Sequence, residues 1–507
     1  MSNSFSTLRL ALKNEGLLRD PEKSRFLPEL YYGTAFSDLG PWLADFLRRR
    51  APGKRVCLVV DGTPKKSSAE PGREIDADFR AVLAGAGIAF DELNLSERLA
   101  IPSSEIHASA HLLEGVRLTL ASRGDQAVIA LGSGSLTDLV KHAMHLEGMK
   151  APFISVPTAL TVTAFTSAFA VLDFSGAKRT QVSREVTAAC WIQPFLANAP
   201  GRMSRAGYGD LLARFVAYGD WFLGHRLGVM EHYDELAFRL MEPFAPDIRA
   251  HAAGFASEPL PEETTECAAA ALAMAGIAMS VSGETTPLSG YEHVISHGLD
   301  FLRLTSGREL NFHGEQVALG SLISARTIDS LLTRDLPGKS RWRTAPVAES
   351  LATLETLISE APFFGGEEDT LGEKARAGRI AAMRDRIEAA RKEFALEYRK
   401  KWTRWEAAAS RLPSFIESWP DLRVDLSRLT VRAGELEPLL RKANLPVRPR
   451  DMAFPATEQE LRWAIRFAPF VRLRMNVADL LFWMGEDPLN TSGWQAQGRR
   501  TGGKHPG

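Results

Sequence analysis

Between about residues 54 and 195, short apolar runs alternate with stretches of helical period. Arg55-Val-Cys-Leu-Val-Val-Asp61 predicts a buried strand closing on a turn at Gly62. A helix is expected over Ala77–Ala86 and a strand over Ile88–Leu93. Ser103–Ser122 carries apolar residues three and four apart and predicts a helix. Gln126–Leu131 reads as a strand, Ser135–Leu146 as a helix and Phe153–Pro157 as a strand. This alternation predicts βαβ units and a largely parallel sheet. From about residue 202 the pattern turns helical, over Gly209–Leu223, Glu262–Val281 and Gln316–Leu332. Leu371–Ala407 is a long charged segment that reads as a solvated helix or helical hairpin. Its basic cluster (Arg391, Lys392, Arg399, Lys400, Lys401, Arg404) reads as solvated surface. Phe394, Tyr398, Trp402 and Trp405, at helical spacing, read as a packing stripe.

At 507 residues the chain exceeds one core, and two or three domains are expected. A hydrophobic fraction of 45%, with 24% charged residues, is that of an ordinary globular protein. The net charge of −1 demands neither a nucleic acid nor an anionic membrane as partner. Cys57, Cys190 and Cys267 form no CxxC pair, which fits a reducing compartment. The N-terminus lacks an apolar signal core and no run of eighteen apolar residues occurs. The expectation is therefore a cytoplasmic protein without a membrane span, compatible with a homodimer, with a disordered tail over 491–507.

Two stretches carry candidate chemistry. Gly132-Ser-Gly-Ser135 separates a predicted strand from a predicted helix, with Asp138 in the first turn. Glycines allow a tight turn and close approach of a ligand, and a helix N-terminus offers free N–H groups to phosphate. The same turn also reads as a plain strand-to-helix connection, since Thr137 stands where the third glycine of GxGxxG would be. Ser289-Gly-Tyr-Glu-His293-Val-Ile-Ser-His297 and His313-Gly-Glu-Gln316 gather three of the eleven histidines. On a helix His293 and His297 share a face, and His313 could fold back to complete a metal site. By themselves they read equally as ordinary histidines, with no carboxylate ligand located.

The order of these pieces resembles the superfamily of glycerol dehydrogenase, iron-containing alcohol dehydrogenase and dehydroquinate synthase, most of all its glycerol-1-phosphate dehydrogenase family. The resemblance lies in Ala130–Lys141, Pro152–Thr158, Ala197-Asn-Ala-Pro200, Ala206-Gly-Tyr-Gly-Asp210-Leu-Leu-Ala-Arg214, the two histidine motifs and Phe470–Leu481. It implies an α/β dinucleotide-binding domain over 1–200 and an all-α metal-binding domain over 201–490, with the active site in the cleft between them. The charged segment, about 340–410, would be an insertion.

Implied metal ligands are Asp210, His293 and His313, for one divalent zinc, nickel or iron. Asp210 also reads as a carboxylate opening a helix. Implied NAD or NADP contacts are Asp61, Gly132, Ser133, Gly134, Ser135, Asp138, Thr158 and Thr161. His297, Thr163 and Arg214 would stand at the catalytic end. The implied reaction reduces dihydroxyacetone phosphate, a small phosphorylated ketone, to sn-glycerol 1-phosphate. Thr163, however, stands where the family pattern has an aspartate, Ala164 where it has a glycine, and Arg214 where it has a lysine. Two alternatives therefore remain: a dehydroquinate synthase-like lyase using NAD transiently, and a non-catalytic nucleotide-binding homologue.

Overall fold

Val56–Val60 (β2), Ala127–Gly132 (β4) and Phe153–Pro157 (β5) are buried along their whole length. Continuous apolar runs of this kind belong to strands covered on both faces. Cys57, Val59, Val128 and Ala130 point into one core cluster, and Val56, Leu58, Val60, Ile129 and Leu131 into the other. With Glu29–Gly33 (β1), Phe90–Asn94 (β3) and Ala188–Ile192 (β8), these strands form a six-stranded sheet ordered β1-β8-β5-β4-β2-β3. Every pairing in it is parallel. The computed structural model describes residues 4–66, 72–124, 126–174, 177–344, 346–365 and 372–494.

The sequence pattern foresaw β2, β3, β4 and β5 but not β1 or β8. Ala-Ala-Cys-Trp-Ile is short and lacks alternation, and it becomes a strand by pairing with β5 on one side and β1 on the other. The expected helix over Ser103–Ser122 begins only at Ala110. Ser109 is extended, caps that helix and bridges to Asp173. Phe169–Phe174 (β6) and Ala177–Val182 (β7), also unforeseen, form a separate antiparallel hairpin.

Beyond β8 the described chain is helical. The expected helix over Gly209–Leu223 is in fact two, Gly201–Leu212 and Ala217–Leu227, separated where Val216 leaves helical geometry (φ −136°). Glu262–Ser282, Tyr291–Ser306 and His313–Leu332 follow. Among the described residues, only Glu262–Ser282 is long and apolar enough to cross a membrane, and 94% of its apolar window is buried inside the protein. The charged segment is one helix, Glu373–Ala408, rather than a hairpin. Phe394, Tyr398, Trp402 and Trp405 on it are buried, with Phe394 against Phe301, Tyr398 against Phe470 and Trp405 against Trp483. Of the expected tail, Ser492 is buried and Trp494 lies under Arg326, while 495–507 fall outside the described residues.

Candidate active site

Gly209 and Gly314 decide how the two halves of the metal-type motif meet. A Cβ on Gly209 would fall on the Gly314 carbonyl, and one on Gly314 on the Ala206 carbonyl. The helices Gly201–Leu212 and His313–Leu332 therefore cross at backbone contact, which brings Asp210 to His313. The ligand atoms of Asp210, His293 and His313 all lie within 4.8 Å of one another. Nε2 of His293 is 3.3 Å and Nε2 of His313 3.8 Å from Asp210 Oδ1. That oxygen is buried and has no hydrogen-bond partner among the described residues. Asp210 does not open its helix. It lies in the last turn, where the helix dipole disfavours a carboxylate, so its stabilisation comes from across the site.

The far side of each imidazole is held. Glu292, fully buried, contacts His293 Nδ1 at 2.9 Å through Oε1, which also accepts from the Gly290 N–H. Ser296 contacts His313 Nδ1 at 3.2 Å and donates to Gln316 Oε1 at 2.7 Å. Both rings thus turn Nε2 toward Asp210, the orientation that outer partners impose on metal-binding histidines. Burial pushes the Asp210 carboxyl up, but His293 beside it and the charge of His313 bring it below its ordinary value. The Thr163 backbone N–H adds to that lowering. Burial holds His313 down to about 4, and His297, buried and facing Arg472, lies well below the ordinary histidine value. His293 goes the other way: burial lowers it, and the carboxylates of Asp210 and Glu292 beside it raise it by more.

These residues line one cavity of about 360 Å³, in the size range of small-molecule sites. Ser133, Gly134, Ser135, Asp138, Thr161 and Thr163 share it with Asp210, His293, His297 and His313. The helix Gly134–Leu146 starts at this wall, and Ser133 caps it without a side-chain bond, leaving first-turn N–H groups for an anion. Gly134 is a close-approach position, since a Cβ there would fall on the Val162 side chain. Asp138 is engaged by Lys141 at 3.2 Å and by the Val171 N–H, which ties the hairpin to the loop.

Asp61, Gly132, Thr158 and Arg214 do not line the cavity. Asp61 accepts from the Thr63 N–H and from Lys65 at the end of β2, and the Thr158 N–H donates to the Gly132 carbonyl. Arg214 is buried against Phe215 and paired with Glu242 at 2.8 Å, so the structure does not bring it to the catalytic end. Glu292, Ser296 and Gln316 stood inside quoted motifs without a role, because only their packing shows which ring each one holds. Lys178, Asp300, Arg472 and Arg474 also went unread, since they lie far apart in sequence from the residues they contact.

The sequence profile described as iron-containing alcohol dehydrogenase matches residues 39–200. Glycerol-1-phosphate dehydrogenase (NAD(P)+) of Hyperthermus butylicus is 33% identical over 247 residues, 48% of this chain and 64% of that protein. The match thus spans less than two thirds of that relative's length. The protein of the same name from Pyrococcus horikoshii is 28% identical over 284 residues, 56% of this chain and 79% of its own. Residues 39–200 are thus similar to the iron-containing alcohol dehydrogenase family, and about half of the chain to glycerol-1-phosphate dehydrogenases. The chain shares its fold with glycerol dehydrogenase from Schizosaccharomyces pombe, which superposes with a TM-score of 0.51 at 15% identity, over 93% of this chain and 91% of that one. The profile match ends before Asp210. The metal-type cluster therefore rests on the helical half and its geometry.

Proposed function

We propose that this protein is a metal-dependent, NAD(P)-linked oxidoreductase that reduces dihydroxyacetone phosphate, or a related ketone, to sn-glycerol 1-phosphate. The observation that carries the reading is Asp210 Oδ1, a buried oxygen without a hydrogen-bond partner among the described residues that faces two imidazole nitrogens. It shares a cavity with a glycine-loop helix N-terminus. The relatives' names support the redox class.

One carboxylate and two imidazoles fit a divalent cation such as zinc, nickel or iron, with positions left for substrate. Asp210, His293 and His313 would hold it, and when bound it supplies a Lewis acid that polarises the ketone carbonyl. The first-turn N–H groups after Ser133, with Gly134 and Ser135, fit a pyrophosphate, and a bound nicotinamide supplies or accepts hydride. By resemblance Asp61, Gly132, Thr158 and Thr161 would serve the same cofactor, the first three from just behind the wall. In this reading residues 1–200 form the dinucleotide unit and 201–490 the metal unit.

Thr161 Oγ1, buried and without a partner among the described residues, can bond a ligand, and Thr163 offers a hydroxyl where the family has a carboxylate. His297, which lines the cavity, would orient the reacting oxygen by a hydrogen bond. Arg472 donates to its Nε2 at 3.0 Å, which leaves the ring proton on Nδ1, an atom without a partner among the described residues.

The test is absorbance of the nicotinamide with dihydroxyacetone phosphate and added divalent metals. Net NAD(P)H consumption that is abolished by a chelator is expected. A lyase-type reaction, which the change at Thr163 keeps as a second reading, would show no net consumption. Metal-free protein inert toward every ketone would refute both.

A further inference from the structure

Each of the three candidate ligands begins a wall of the cavity whose far end is apolar. On the helix Tyr291–Ser306, His293, His297 and Leu304 share one face and all line the cavity. Leu304 lies eleven residues beyond His293, about 16 Å along a helix axis. Leu310 and Phe312 line the approach to His313, and Met203 lines the helix Gly201–Leu212 about two turns before Asp210. Arg202 meets Glu315 at 2.7 Å, which seats the Met203 turn beside the start of the helix His313–Leu332.

The hairpin covers this arm. Lys178 on β7 meets Asp300 at 2.8 Å, between His297 and Leu304 on their helix. Strand alternation puts Phe169 and Val171 of β6 on the same face of the hairpin as Lys178, and all three line the cavity. Polar groups along this stretch are engaged within the protein. Lys178 is held by Asp300, and Asn311 donates to the Phe454 carbonyl and accepts from its N–H. Met203, Leu304, Leu310 and Phe312 are partly exposed, and among the described residues none of them belongs to or packs against either hydrophobic core. They hold an apolar surface open to the cavity.

Apolar surface facing water gains free energy when a hydrocarbon group covers it. We infer that this arm receives an alkyl chain of the substrate, which makes the ketone one with a hydrocarbon substituent several carbons long. The inference rests on the reductase reading for its carbonyl chemistry and narrows that reading's ketone. A three-carbon ketone held at the ligands reaches only part of the way to Leu304. The redox step is unchanged. Hydride passes from NAD(P)H to the carbonyl carbon and a proton from solvent to its oxygen, giving a secondary alcohol and NAD(P)+.

The test uses the full chain with zinc and saturating NAD+, a state in which ketones bind without turning over. Titration calorimetry measures methyl ethyl, methyl butyl and methyl hexyl ketone on the wild type, Leu304→Gln and Leu310→Gln, with circular dichroism to confirm folding. Affinity rising about three- to fourfold per methylene is expected in the wild type. In each folded variant the preference for the hexyl over the ethyl ketone should fall at least about tenfold. Affinity independent of chain length in the wild type, or a preference unchanged in the folded variants, would overturn the arm. If one variant does not fold the other decides, and if neither folds the wild-type series decides. Kinetics with NADH then separate the two readings, with kcat/KM expected to rise with chain length. A higher kcat/KM for dihydroxyacetone phosphate than for methyl hexyl ketone would overturn the substrate class and leave the reductase reading standing. Chain-dependent binding without oxidation of NADH by any ketone would remove the reductase reading and keep the arm.

Discussion

Thr163 illustrates how one residue separates machinery from substrate. Its hydroxyl lines the cavity and its backbone N–H supports the Asp210 carboxylate, so the position keeps a task without the expected acid. Glu292 has the opposite character: it never reaches the cavity but holds His293 from behind. Replacing Glu292 with Gln should weaken metal binding by about 10–100-fold, read by competition with a chromogenic chelator. Affinity equal to the wild type would show that the ring needs no such partner. His142, on the glycine-loop helix, is pushed down to about 4 by burial. Its unfolded pKa is about 6.5, so between these values the unfolded chain binds more protons and native stability falls as pH drops. His142→Gln should therefore lose less stability than the wild type between pH 7 and pH 4.5, measured by denaturant midpoints. These residues were visible in the sequence as types; their environments were not.

At the scale of elements, helix crossings set the site. The expected helix boundary put Asp210 at a helix start, whereas Pro200 begins the helix and leaves Asp210 in its last turn. Gly314→Ala should force apart two helices in backbone contact, at about 1–3 kcal/mol, and remove metal binding with it. Intact metal stoichiometry in that variant would contradict the close-contact argument.

The long charged helix reads by composition as solvated, but one face of it is core. Lys401, fully buried, bonds both oxygens of Asp479 and the Pro469 carbonyl, and so anchors the helix that follows Arg472 and Arg474. Lys401→Met would leave a buried carboxylate unpaired, and a loss of about 3–5 kcal/mol in chemical denaturation is expected. A change under about 1 kcal/mol would mean that Asp479 is protonated or hydrated in the native state. Burial already raises Asp479 to about 6.

Across the whole molecule, hydrophobic pattern alone determined the two kinds of structure. Short apolar runs bounded by turns favour buried strands, and apolar residues three and four apart favour helix faces, because these periods follow from local backbone geometry. The same local reading located the glycine turn and the histidine face, because both arise within a few consecutive residues. It could not supply β1, β8 or the β6–β7 hairpin, whose order comes from strand partners distant in sequence. Nor could it show that Arg214 pairs with Glu242, or that Arg472 reaches His297 across 175 positions. Those outcomes depend on which surfaces meet, and only the tertiary structure decides whether a buried charge meets an acid, a ring or a cavity.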